Sequence, residues 1–269
     1  MPLVCDELTL GYGSTPVLHR FALQIPKGQM TVLLGANGCG KSTLVKALAG
    51  QLTPQQGHVL FEQRPLADWP ASERARRMAY LPQYPELFAD LSVFDLVRYG
   101  RFPHQALHRQ WQLEDEQAVQ TALQQTGLEA LGARRVSALS GGQQQRAWIA
   151  LILAQQAEYL LLDEPINHLD LNHQIAIMDL LTDLRLQGKT LVVVLHDLNL
   201  AARYADHLVL LHQGKILRQG RPQSVLQAHC IEQAYGQPVM VVADPLYGAP
   251  WVIPKGRYVS ASGHEHGAS

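Results

Sequence analysis

The sequence is poor in cysteine, with only Cys5, Cys39 and Cys230 among 269 residues. An odd number of thiols so far apart offers no disulfide framework and fits a reducing, cytosolic compartment. Charge of one sign is not in excess either, because Lys plus Arg total 22 and Asp plus Glu 23, for a net charge of -1. The chain therefore has no electrostatic footprint for nucleic acid or for an anionic membrane surface, and no nucleic-acid partner is expected. Long apolar runs are missing. Runs such as Leu191 to Leu195 fall far short of the roughly 20 residues that span a bilayer. The start, Met1 to Glu7, has no basic region followed by an apolar one, so no secretory signal is expected. Work at a membrane would need another chain to do the spanning. Neither heptads nor a long coiled-coil insertion is present.

What is there is a globular composition, 47% hydrophobic, long enough for one large or two modest α/β units. Gly35-Ala36-Asn37-Gly38-Cys39-Gly40-Lys41-Ser42 follows the apolar Met30 to Leu34 and precedes Thr43 to Ala49, which reads as a helix. Strand, glycine-rich loop and helix in that order make a phosphate cradle: the glycines turn backbone N–H groups inward, and the helix adds its positive dipole end. Lys41 would reach the β- and γ-phosphates of a nucleotide, and the Ser42 hydroxyl would hold Mg²⁺.

Around this loop the chain alternates. Leu3 to Leu10 and Phe21 to Ile25 read as strands, expected to pair antiparallel across a turn at Gly11-Tyr12-Gly13-Ser14. Tyr12, in that turn, could stack on a base or lie half buried against its own strand. Gly57 to Phe61 reads as a further strand, and Ser72 to Arg77 as a short helix capped by Ser72. Met78 to Leu81 runs into Pro82-Gln83-Tyr84-Pro85, which puts Gln83 on a loop at a strand end. From Ser92 to Leu153 the spacing is helical, so a helical subdomain over about 88–155 is expected, its most irregular part being His104 to Arg109. Tyr159 to Leu162 and Thr190 to Leu195 read as parallel strands buried on both faces. Ala205 to Gln219 reads as a hairpin turning at Gln213-Gly214, followed by helices to Tyr235, strands at 239–242 and 251–253, and a disordered tail from Ser260. A right-handed, doubly wound parallel sheet is the expected core.

Asp163 and Glu164 end the Leu-rich strand, a buried strand expected to lie adjacent to the loop's own. Phosphoryl transfer to water needs the triphosphate held, its charge neutralised and a water aimed at phosphorus. Asp163 is suited to hold Mg²⁺ through a water, and Glu164 to act as base or positioner. Ser140-Gly141-Gly142-Gln143 opens another helix and makes a second anion-binding helix start, which with a single phosphate loop suits a partner's nucleotide.

These motifs, in this order over nearly the whole chain, resemble the ATP-binding cassette (ABC) family. The resemblance implies a phosphate-loop NTPase (RecA-like) α/β core with an antiparallel β subdomain and an inserted helical subdomain. It implies an ATPase over 1–235 and a short extension over 236–269. ATP and Mg²⁺ would be the ligands. Two chains would sandwich two ATP head to tail, each bound by one copy's phosphate loop (Gly35 to Ser42, with Thr43) and the other's signature (Leu139 to Gln143). Tyr12 would stack on adenine, Gln83 would touch Mg²⁺ and sense it, His196 would meet the γ-phosphate, and Asp170 of Leu169-Asp170 would reach across the dimer. Ile166 stands where such cassettes commonly carry Thr. Cys39 suggests sensitivity to thiol reagents. A finer similarity, to ATPase subunits of ferric-siderophore importers and their vitamin B12 and haem relatives, rests on Val97 to His104, Gln145 to Ala150 and Asp244 to Pro250. It implies two transmembrane permease subunits, whose coupling helix would dock along Gln83 to Arg101. It further implies a periplasmic or extracellular substrate-binding protein, and a peripheral place on the cytoplasmic face of the plasma membrane.

Overall fold

The fold is described from a computed structural model over residues 3–13, 15–85, 90–105, 110–167 and 169–256. Ser14, residues 106–109 and the tail from Ser260 lie outside these, and so do the expectations placed on them. In chain order the elements are β1 (Leu3–Tyr12), β2 (Thr15–Ile25), β3 (Met30–Gly35), α1 (Lys41–Leu48), β4 (Gln56–Phe61), β5 (Arg64–Pro65), α2 (Ala71–Arg77) and β6 (Met78–Leu81). There follow α3 (Val93–Arg98), α4 (Leu113–Gln125), α5 (Gly141–Ala154), β7 (Tyr159–Asp163), α6 (Leu171–Leu186), β8 (Thr190–Val194) and α7 (Leu198–Tyr204). The chain closes with β9 (His207–His212), β10 (Lys215–Gly220), α8 (Pro222–Val225), α9 (Ala228–Tyr235), β11 (Val239–Ala243) and β12 (Pro250–Pro254).

A six-stranded sheet runs in the order β10-β9-β3-β8-β7-β6, parallel from β9 to β6 with β10 antiparallel at its edge. A four-stranded antiparallel sheet, β2-β1-β4-β5, packs beside it, and β11 and β12 form a separate hairpin. Strands β3, β7 and β8 are buried along their whole length, which is why their sequences are apolar without alternation. The pleat still divides them. Val32, Leu34, Leu160, Leu162 and Val193 join a cluster with Val97, Val119, Trp148 and Ile177 of the helices. Leu33, Leu161, Val192 and Val194 face the other way, onto Leu44, Val45 and Leu48 of α1 and onto Leu3, Leu8, Phe21 and Phe61 of the antiparallel sheet. Helix α1 is thus clamped between the two sheets, and its N-terminus carries the phosphate loop.

Two expectations need correction. Gly11 and Tyr12 are not turn residues: they extend β1, paired with Pro16 and Thr15. The pairing is close enough that a Cβ on Gly11 would stand 2.3 Å from the Thr15 carbonyl oxygen. Ser72 is not a cap; Pro70 is the N-cap residue and Ser72 lies inside α2. Proline supplies a fixed φ just ahead of the helix, so no side-chain acceptor marks this start.

In the helical region a guanidinium is buried. Arg101, 3% exposed, donates to Asp115 Oδ1, to Ala154 O and to Gln156 Oε1, each at 2.9 Å. It ties the turn after α3 to the start of α4 and the end of α5.

Two histidines are expected to make the fold acid-sensitive. Burial is the leading cause that depresses both His104 and His207 below the ordinary imidazole range, and Nδ1 of His207 is buried without a hydrogen-bond partner. A depressed folded value favours the neutral ring, so the associated stability is present above the unfolded value of about 6.5 and is lost as pH falls through the lowered folded values. The thermal midpoint should therefore drop between about pH 7 and 5, and the drop should be smaller in His207→Asn, as scanning calorimetry at several pH values would show.

Candidate functional site

The loop between β3 and α1 uses its glycines for two different reasons. A Cβ on Gly35 would lie 2.4 Å from Leu211 O, and one on Gly40 would lie 2.6 Å from Leu18 Cδ2. At Gly38 there is open space, but φ is +77°, which disfavours any L side chain. Lys41 and Ser42 are the first residues of α1. The Lys41 ammonium is buried and donates to Gly35 O at 2.7 Å and Ala36 O at 3.1 Å. Cys39 is buried, and desolvation pushes its thiol up against the opposing pull of Lys41.

Asp163 sits at the end of β7. This strand is not next to the loop's strand, as its place in the sequence suggests: β8 lies between β3 and β7. Asp163 nonetheless accepts a hydrogen bond from Ser42 Oγ at 3.1 Å. Burial raises its carboxyl above the usual range, the Glu164 charge adds to that, and the Ser42 bond opposes it. Hydroxyl and carboxylate oxygens suit a hard divalent cation such as Mg²⁺. Among the described residues no group of three His, Cys, Asp or Glu could hold a metal alone. This fits Mg²⁺, which is usually bound by one or two protein oxygens together with substrate phosphates.

Glu164 follows with a left-handed backbone, φ +56°, a strained conformation for a residue with a side chain. The turn aims its carboxylate away from Asp163's partners and buries it. Its Oε2 accepts from Gln83 Nε2 at 2.5 Å and from Asn167 Nδ2, and its Oε1 meets His196 Nε2 at 2.6 Å. A cavity of about 610 Å³ is lined by Asn37, Lys41, Ser42, Gln83, Glu164 and His196, with Val17, Gly38, Gly40, Thr43, Tyr84 and Asn167. Residues from widely separated parts of the sequence therefore converge on one polar pocket.

Tyr12, Ser140 to Gln143 and Asp170 are not in that lining. Tyr12 stands 55% exposed at the end of β1. Ser140 caps α5 by a capping box with Gln143. Asp170 caps α6, accepting from His173 N at 2.9 Å and pairing with His173 Nδ1 at 2.7 Å. A Cβ on Gly142 would meet the His173 ring at 2.6 Å, so the starts of α5 and α6 lie against each other there. Two residues escape a reading of the sequence. Asn167 has a faint signal, an amide three residues after an acid in a proline turn. Tyr235 has none: its hydroxyl accepts from Gly35 N at 2.9 Å across 200 positions, and burial raises it to about 12.

Comparison with known proteins bears on this pocket. Residues 18–167 match the family model described as ABC transporter. The chain is 47% identical over 253 residues to the probable siderophore transport system ATP-binding protein YusV of Bacillus subtilis (strain 168), covering 94% of this chain and 92% of that protein. It is equally identical to the ferric enterobactin transport ATP-binding protein FepC of Escherichia coli (strain K12), over 94% and 93%. It is 41% identical to a hemin import ATP-binding protein of Pseudomonas putida, over 93% and 99%. Among solved structures, a bacterial ABC transporter cassette in dimeric form superposes with a TM-score of 0.73 at 28% identity, over 82% of this chain and 98% of that one.

Proposed function

The chain belongs to the ABC transporter family as an ATP-hydrolysing subunit, and from that premise we propose that it powers ferric-siderophore import through a separate membrane permease. The observation that carries the catalytic part is the Glu164 carboxylate held by Gln83, Asn167 and His196 in the same cavity as Lys41 and Ser42. In this reading the loop amides and the start of α1 take the phosphates of ATP, and Lys41 moves from its loop carbonyls onto them. Ser42 and Asp163, together with Gln83, would hold Mg²⁺, which when bound would supply neutralisation of phosphate charge. Glu164 orients the attacking water and takes its proton, while His196 and Gln83 fix its carboxylate.

The second half of each site comes from a second copy. Ser140, Gly141, Gly142 and Gln143 offer a capped helix start outside the chain's own pocket, and Asp170 stands exposed beside them. Tyr12, exposed at the end of β1, would stack on adenine, a role that the family likeness supports. Tighter binding of ATP to the closed dimer than to the open one then shifts the permease's own equilibrium. The permease is assigned to a surface groove of about 280 Å³ lined by Leu91, Asp95, Arg98, Tyr99, Phe102 and Gln105. Phe102 is 68% exposed there, an apolar surface suited to an amphipathic helix. Among the described residues no helix is long and apolar enough to cross a membrane, so the cytoplasmic face of the plasma membrane is reached through the permease. A substrate-binding protein on the far side would deliver the cargo.

The cargo follows from the relatives named for siderophore transport. It is tested by uptake of labelled ferric siderophore in iron-starved cells lacking the chain. Wild type should restore uptake and Glu164→Gln should not. Restoration of hemin uptake in its place would move the cargo and leave the ATPase standing. Lys41→Ala should weaken ATP binding by about tenfold or more, the value of a lost charge-assisted hydrogen bond. Unchanged affinity in a nucleotide titration would show that the loop does not cradle phosphate as described.

A further inference from the structure

The C-terminal hairpin has no part in the function described so far, yet it is fastened to α7, the helix that follows His196 of the pocket. Val252 of β12 is buried, and its backbone is bonded both ways by one amide side chain. Val252 N donates to Asn199 Oδ1 at 2.8 Å, and Asn199 Nδ2 donates to Val252 O at 3.3 Å. A second fastening lies farther along the same helix. Arg203 donates to Asp244 Oδ2 at 3.0 Å, and its guanidinium stacks 4.3 Å from the centre of the Tyr247 ring. Asp244 in turn accepts from the Leu246 and Tyr247 amides, which fixes the hairpin tip.

Asn199 and Arg203 both belong to α7, a helix of seven residues. So short a helix has little stability of its own, and its direction is set by what it packs on. Its N-cap is Asp197, which accepts from Asn199 N and Leu200 N. The residue before that cap is His196, whose Nε2 meets Glu164 at 2.6 Å. Asn199 is thus bonded by its amide to the hairpin and by its backbone to the cap that follows His196. The same C-terminal stretch reaches the phosphate loop separately, through the Tyr235 hydroxyl on Gly35 N.

We infer that the hairpin of β11 and β12 is a brace for the catalytic pocket, and that Asn199 is a positioning residue that acts through His196. Bonded to Val252, it fixes the start of α7 and so the height at which the imidazole meets the Glu164 carboxylate. The inference rests on the reading of Glu164 and His196 given above. It assigns the segment Asp244 to Pro250 a task in hydrolysis without contact to nucleotide.

The test is a double-mutant cycle on the full chain with Asn199→Ala, His196→Ala and the pair, read as ATP turnover and as the ratio of ATP to ADP affinity. Asn199→Ala should lower kcat about fivefold with KM for ATP nearly unchanged, and should reduce the preference for ATP. In the His196→Ala background it should change neither quantity, because the group it positions is gone. Asn199→Asp keeps the acceptor for Val252 N and should keep most of the turnover. Equal losses from Asn199→Ala in both backgrounds would overturn the brace and leave the role of His196 intact. Full turnover and full ATP preference in His196→Ala would remove the reading of His196, and the brace with it. The affinity ratio decides even where turnover falls below detection.

Discussion

Glu164→Gln is expected to lower ATP turnover by about 100-fold or more while ATP still binds, since a positioned general base contributes roughly 10²- to 10⁴-fold. The substitution is nearly isosteric. The amide oxygen can still accept from Gln83 and Asn167, so the strained turn at φ +56° keeps its side-chain anchors. What disappears is the carboxylate that takes a proton, along with its charge opposite His196. In the proposed reading ATP binding draws on Lys41, Ser42 and the loop amides, which the change does not touch. With binding intact and hydrolysis stopped, the variant should accumulate as an ATP-bound dimer. Steady-state phosphate release and gel filtration with ATP would measure both effects, and turnover within a few-fold of wild type would take Glu164 out of the chemistry.

The largest expected loss of stability lies elsewhere, in Arg101→Leu. Asp115 is fully buried beside Arg101. Removing one partner of a buried ion pair typically destabilises by about 3–5 kcal/mol, and Asp115 would keep its bond from Gln112 N at 3.2 Å but lose its cationic partner. Here the Ala154 carbonyl and the Gln156 amide oxygen lose a donor as well. The Asp115→Leu change added to it should recover part of the loss, because a buried pair replaced by apolar groups is often near neutral. Urea unfolding followed by tryptophan fluorescence would report it, since Trp111 and Trp148 both lie in the helical region. A midpoint shift of under about 1 kcal/mol would show that water reaches Asp115 and relieves it.

Much of the pocket is legible in the sequence because its chemistry is written in short local patterns. A strand, three glycines and Lys41-Ser42 identify the loop, and an apolar strand ending in two acids identifies Asp163 and Glu164. The order of strands is not legible. Asp163 reads as the end of a neighbouring strand, but a serine-to-aspartate bond across an intervening β8 depends on the twist and stagger of three strands, which no spacing encodes. Tyr235 is invisible for a related reason: its partner is a backbone N–H, which every residue but proline has. Asn199 likewise reads as an ordinary polar position in a helix. The Ser72 cap fails because proline at the preceding turn starts a helix by fixing φ, with no side-chain acceptor needed.

The hydrogen bonds of Lys41 carry a consequence for release. Its ammonium already has two carbonyl partners, Gly35 O at 2.7 Å and Ala36 O at 3.1 Å. An arriving phosphate does not meet a bare charge; it competes for one that is occupied. Two of its three N–H groups would have to leave the loop to serve phosphate, so part of what the ammonium gains there would be offset by the bonds it surrenders. The same carbonyls stand ready to take the ammonium back once the γ-phosphate has gone. On the proposed reading, loss of a spent nucleotide would return the ammonium to these carbonyls, so the lysine need not be left buried and unsatisfied.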